Sequence, residues 1–94
     1  MFRTATQIAV TVDERNKRSV LELISGDRPG LLCYIGKVLM EERVDLLAAK
    51  IMTVGERAED VFYLASLSGS PLDEQAAARL QQKLSGALDR RAAA

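Results

Sequence analysis

Apolar and polar residues alternate strictly at the start of the chain, with Ile8, Val10 and Val12 on one face and Gln7, Ala9 and Thr11 on the other. A period of two marks a half-buried strand. The polar cluster Asp13-Glu14-Arg15-Asn16-Lys17 interrupts the pattern. It resumes from Ser19 to Ser25, where Leu21 and Leu23 oppose Val20, Glu22 and Ile24. Two strands over residues 7–12 and 18–25, joined as a hairpin, are therefore predicted. The period then changes. Leu31, Leu32, Ile35, Val38 and Leu39 fall at helical spacing over residues 30–43, behind Asp27 as a capping residue and Pro29 near the first turn.

A strand over residues 44–54 follows, in which Leu47, Ala49 and Ile51 share one face. Gly55 to Glu59 read as a polar turn, and residues 60–67 as the antiparallel mate. Ser70-Pro71-Leu72-Asp73 then opens a second helix over residues 72–89, with a capping hydroxyl, proline in the first turn and early acids that suit the helix dipole. Leu72, Ala76, Leu80, Leu84 and Leu88 step by four residues along it and make one apolar stripe.

The order ββαββα implies a two-layer α+β sandwich, a four-stranded antiparallel sheet with both helices on one face. Placing strand 44–54 beside strand 18–25 would block the usual right-handed crossover, so strand 60–67 is expected next to strand 18–25. Strand 7–12 then takes the other flank.

Composition narrows what such a sandwich can do. Ninety-four residues, 48% of them hydrophobic, fill one small core, so residues 1–94 are expected to form a single domain. A core of this size leaves little net stability, which makes self-association a sensible expectation. Thirteen basic residues balance thirteen acidic ones, and the only aromatics are Phe2, Tyr34, Phe62 and Tyr63. That excludes a nucleic-acid footprint, which needs a basic field and a stacking platform. Cys33 is the sole cysteine and there is no histidine, so neither an intrachain disulfide nor a cysteine zinc cage can form, and no metal or other cofactor is expected. No apolar run approaches the ~20 residues of a membrane span, and a cytoplasmic setting without membrane contact is expected.

The stretch Ser25-Gly26-Asp27-Arg28-Pro29-Gly30-Leu31-Leu32 ends a strand, turns sharply and opens a helix. Two readings stand side by side. Asp, Pro and Gly are what any capped strand-to-helix turn uses. The same turn offers the backbone N–H groups of Gly30, Leu31 and Leu32 and the positive helix end to a carboxylate, and Gly30 removes the side chain that would screen that backbone.

Together with Val44-Asp45-Leu46 at the end of the first helix, the Asp-Arg-Pro-Gly-Leu-Leu turn resembles the ACT domain, a regulatory amino-acid-binding fold of ferredoxin-like architecture. The hairpin Gly55-Glu56-Arg57-Ala58-Glu59-Asp60-Val61-Phe62-Tyr63, with Arg18 to Leu23 and Ala49-Lys50-Ile51, is similar in particular to the last ACT domains of PII uridylyltransferases/uridylyl-removing enzymes. The resemblance runs from about Gln7 to Leu88. It implies a glutamine-sensing role in nitrogen metabolism, in a homodimer or beside a sister ACT domain, with ligands at a seam between two sheets. It implicates Ser25, Asp27, Arg28, Gly30, Leu31 and Leu32 on one side of the seam, and Asp45, Leu46 and Leu47 contributed from the other. Asp27 and Asp45 stand where better-known ACT sites carry other residues, and two acids favour a ligand's ammonium while opposing its carboxylate.

The resembled enzymes also carry a nucleotidyltransferase domain and a His-Asp metal domain, and a chain without histidine supplies no such metal site. It is therefore expected to be no enzyme by itself. An acylphosphatase-type activity would need an asparagine beside a phosphate-cradling arginine, and the only asparagine is Asn16, in a hairpin turn. Cys33 lacks a base and is expected to pack as a small apolar residue. Glu22 lies mid-strand, either on an exposed sheet face or against a partner. The competing functional reading is a ligand-free dimerisation or protein-docking module.

Overall fold

The computed structural model describes residues 6–26 and 30–93, with residues 87 and 89–93 as backbone alone. Its elements are β1 (Gln7–Asp13), β2 (Arg18–Gly26), α1 (Leu31–Glu41), β3 (Val44–Val54), β4 (Arg57–Ser66) and α2 (Glu74–Ala93). The sheet order is β1-β2-β4-β3, antiparallel throughout, as the crossover rule requires. This is the ferredoxin-like α+β sandwich of the ACT type.

Period-two alternation becomes geometry in β2 and β4. Leu21 and Leu23 of β2 join Phe62 and Leu64 of β4 on the helix-facing side, and all are buried. Leu31, Ile35, Val38 and Leu39 of α1, Leu72, and Leu80, Leu84 and Leu88 of α2 complete the core. Burying each such side chain contributes roughly 1.5–3 kcal/mol. The C-terminal end of α1 meets the middle of α2 through Lys83, whose ammonium lies 2.8 Å from Glu41 and 3.5 Å from Glu42. Its hydrogen bond holds the Glu41 carboxyl below its ordinary range, although the exposed pair adds little stability.

The structure corrects several expectations. The second helix starts at Glu74, and its cap is Asp73, whose carboxylate accepts the Ala76 N–H at 2.7 Å. Ser70 instead hydrogen-bonds with Ser66 and Ser68. The cause lies at Leu72, whose N–H donates to the buried Ser19 hydroxyl of β2 at 2.9 Å and holds the chain extended past Pro71. The first helix has Gly30 as its N-cap, without a side-chain cap bond, and ends at Glu41; the proposed cap Asp27 lies outside the described residues. Cys33 is exposed rather than packed.

The β3–β4 hairpin closes in two residues, because Val54 pairs with Arg57 and Gly55 takes a left-handed φ of 62°. Arg57, Ala58 and Glu59, expected in the turn, therefore belong to β4. In β3 the pairing slips between Leu46 and Ala48, so Leu47 is the extra residue of a bulge, and the residues opposite the buried Leu64, Phe62 and Asp60 are Leu46, Ala49 and Ile51.

Ser19→Ala leaves the Leu72 N–H buried without its acceptor. Urea unfolding should show a loss of about 1–3 kcal/mol, and an unchanged midpoint would mean that this bond does not anchor the second helix.

Candidate functional site

A cavity of about 190 Å³ opens where α1 begins, between its first turn and the helix-facing side of the β3–β4 hairpin. Gly30, Leu31 and Leu32 line one wall and Ile51, Thr53, Ala58 and Asp60 the other. The sheet wall is set by register, since Ile51 lies directly opposite Asp60 and Thr53 opposite Ala58. Gly30 enters the helix at φ 79°, a left-handed conformation that side chains resist, so glycine here serves the turn and also leaves the backbone bare. The first helical bond of α1 runs from the Tyr34 N–H to the Gly30 carbonyl at 2.9 Å. The N–H groups of Leu31 and Leu32 therefore have no intrahelical acceptor and add their dipoles to the positive end of the helix.

Asp60 supplies the opposite polarity. Its side chain is 2% exposed, and one carboxylate oxygen accepts the Met52 N–H at 3.2 Å. A carboxylate offers about four acceptor positions, and the Met52 N–H takes one of them. The cavity thus has a donor-rich, positive side and an acidic side, with apolar Leu32, Ile51 and Ala58 between them. A small zwitterion matches that arrangement, since its two charged ends find opposite partners and its carbon skeleton an apolar lining. Among the described residues no group of His, Cys, Asp or Glu could hold a metal ion, and no helix is long and apolar enough to cross a membrane.

Of the residues singled out from sequence, Gly30, Leu31 and Leu32 meet at this cavity. Leu32 is half exposed, because helical geometry turns it away from the core toward the cavity while Leu31 packs inward. Ser25 does not line it; the side chain is fully buried and its hydroxyl donates to the Gly26 carbonyl at 3.2 Å. Asp27 and Arg28 lie outside the described residues. Asp45, Leu46 and Leu47 sit at the opposite end of β3, eight residues or about 26 Å of strand from Thr53 to Asp45, and all three are exposed. Within one chain they do not meet the cavity. Sequence reasoning missed Ile51, Thr53, Ala58 and Asp60 as cavity residues. Extending the alternation of Phe62 and Leu64 backwards would have placed Ala58 and Asp60 on the inward face.

No family model matches the chain. Among curated proteins it is similar to the bifunctional uridylyltransferase/uridylyl-removing enzyme of Photobacterium profundum, 45% identical over 88% of this chain and 10% of that protein. The corresponding enzyme of Pseudomonas syringae pv. tomato is 43% identical over 88% of the chain and 9% of its own length. That of Acinetobacter baumannii is 35% identical over 94% and 10%. The chain spans about a tenth of the length of the curated relatives it matches.

The Asp60 hydrogen bond can be tested apart from any ligand. Asp60→Ala should lower unfolding free energy by about 1.5–3 kcal/mol, and Asp60→Asn, which keeps an acceptor for Met52, by less. Equal losses in the two variants would show that the bond to Met52 is not what the acid contributes.

Proposed function

The chain is a homologue of the regulatory, C-terminal ACT-type part of the bifunctional uridylyltransferase/uridylyl-removing enzymes, and on that footing we propose that it binds a free amino acid, glutamine in first place, and passes its occupancy to catalytic domains. The observation that carries this reading is the two-ended cavity. The ligand carboxylate meets the first-turn N–H groups of α1, and its ammonium meets Asp60. The family resemblance also implicates Ser25, Asp27 and Arg28, which precede that helix in the sequence.

A seam between two such units would complete the site. Ile51 and Thr53 belong to β3, an edge strand of the sheet, which is exposed along nearly its whole length and presents Leu46, Leu47, Ile51, Met52 and Val54 to solvent. A second ACT unit added along that edge, a sister domain or another copy, would close the cavity and bring its own Asp45 to Leu47 toward it. Filling the site and tightening the seam are then coupled, and a difference in affinity between two arrangements of about 1–3 kcal/mol is enough for regulation. The same exposed edge supports a second reading, a ligand-free association module that adds strands and binds no metabolite.

Thermal melting with a panel of amino acids at millimolar concentration separates the two. A ligand at roughly 100 times its dissociation constant should add about 2.7 kcal/mol, several degrees for a chain of this size. Thr53→Phe, at an exposed strand position on the cavity wall, should melt close to wild type and lose the shift. A shift that survives this variant would place binding elsewhere. No shift with any amino acid, in the chain or in its complex with a sister domain, would leave the association module.

A further inference from the structure

One polar side chain on the cavity wall is left over once the two charged ends of a zwitterion have found their partners. The helix-facing positions of β3 beyond its bulge are Ala49, Ile51 and Thr53, which lie opposite the buried Phe62, Asp60 and Ala58. Thr53 is the polar member of that row. It is exposed and lines the cavity, and its hydroxyl bonds to no other described residue. Asp60 and Thr53 occupy diagonal corners of a patch two strands wide, about 7–8 Å apart, with Ile51 and Ala58 at the other two corners.

We propose that Thr53 reads the ligand's side chain, and that the side chain it selects ends in a carboxamide. With the ligand's carboxylate at the first turn of α1 and its ammonium at Asp60, on which reading of the cavity this rests, the side chain leaves along the Asp60–Thr53 diagonal over Ile51 and Ala58. A hydroxyl both donates and accepts, and so does a carboxamide, so the two groups match whichever way the amide is turned. A short hydroxyl side chain keeps its oxygen beside its own ammonium and falls short of Thr53, whereas a carboxamide beyond two methylenes spans the diagonal. An apolar side chain of the same length would cover the hydroxyl without giving it a partner. A carboxylate in place of the amide would bring a full charge among Leu32, Ile51 and Ala58, and no cationic side chain is among the described residues that line the cavity. Glutamine is thereby separated from glutamate, a molecule of the same shape, by charge, and from an apolar amino acid by one hydroxyl.

Threonine is also a good strand former, and a role confined to strand propensity is met by valine and less well by serine. Hydrogen bonding has the opposite preference, so Thr53→Val and Thr53→Ser tell the two roles apart. The position is exposed, and circular dichroism checks the fold of each variant. Isothermal titration calorimetry measures wild type and both variants with glutamine, glutamate and homoleucine, in which two methyl groups replace the amide oxygen and nitrogen. Wild type should bind glutamine more tightly than either of the others. Thr53→Val should weaken glutamine about tenfold, the worth of one hydrogen bond, and leave homoleucine no weaker. Thr53→Ser should keep the preference for glutamine. A valine variant with the wild-type ratio of glutamine to homoleucine affinity overturns the role of Thr53 and leaves amino-acid binding in place. So does a wild type that prefers homoleucine or glutamate. Binding of none of the three overturns it as well, and melting with the wider panel of amino acids then shows whether the reading of the cavity falls with it.

Discussion

The rest of the molecule depends on β4 lying between β2 and β3. A strand in that slot must hydrogen-bond on both sides, so every residue from Arg57 to Leu64 is held in two registers at once, through β2 on one flank and β3 on the other. That double constraint brings Ala58 and Asp60 under the start of α1 and Phe62 and Leu64 under both helices. It leaves β3 as the outer strand and sends the chain back across β2, where the Ser19 hydroxyl catches Leu72. The handedness of the crossover makes this arrangement the expected one.

Where a single period ruled, the chain could be read directly. Leu21 and Leu23, the four-residue step of Leu80, Leu84 and Leu88, and the inward set of α1 took the places their spacing assigned. Reading failed where two local tendencies competed. Gly55-Glu56-Arg57-Ala58-Glu59 has the composition of a loop, but one glycine with positive φ closes the turn in two residues and hands the rest to the strand. Ser70 had the chemistry of a cap, yet a hydrogen bond from Leu72 to a residue 53 positions away moved the helix start to Glu74, with Asp73 as its cap. Such distant contacts leave no mark in the neighbouring sequence.

The cavity shows the same division. Its helical wall, Gly30 to Leu32, was readable because a strand-to-helix turn announces itself in Gly and Pro. Its sheet wall was not, since Asp60 owes its position to register and a buried acid looks in sequence like any surface acid. The missing signal lay in phase. Asp60 keeps step with Phe62 and Leu64, and an acid in step with core residues is one that the fold has turned inward.

The bulge at Leu47 also divides the free edge of β3 into two rulers of different phase. Side chains on a strand alternate faces with each residue, so an incoming strand aligned with Ala48 to Val54 is out of step by one residue on reaching Val44 to Leu46. A guest without a matching irregularity must stop after about seven residues, or about 23 Å. The edge therefore measures its guest. It accepts a short strand, or one with a compensating extra residue, and halts the indefinite zippering to which an uninterrupted strand would be open.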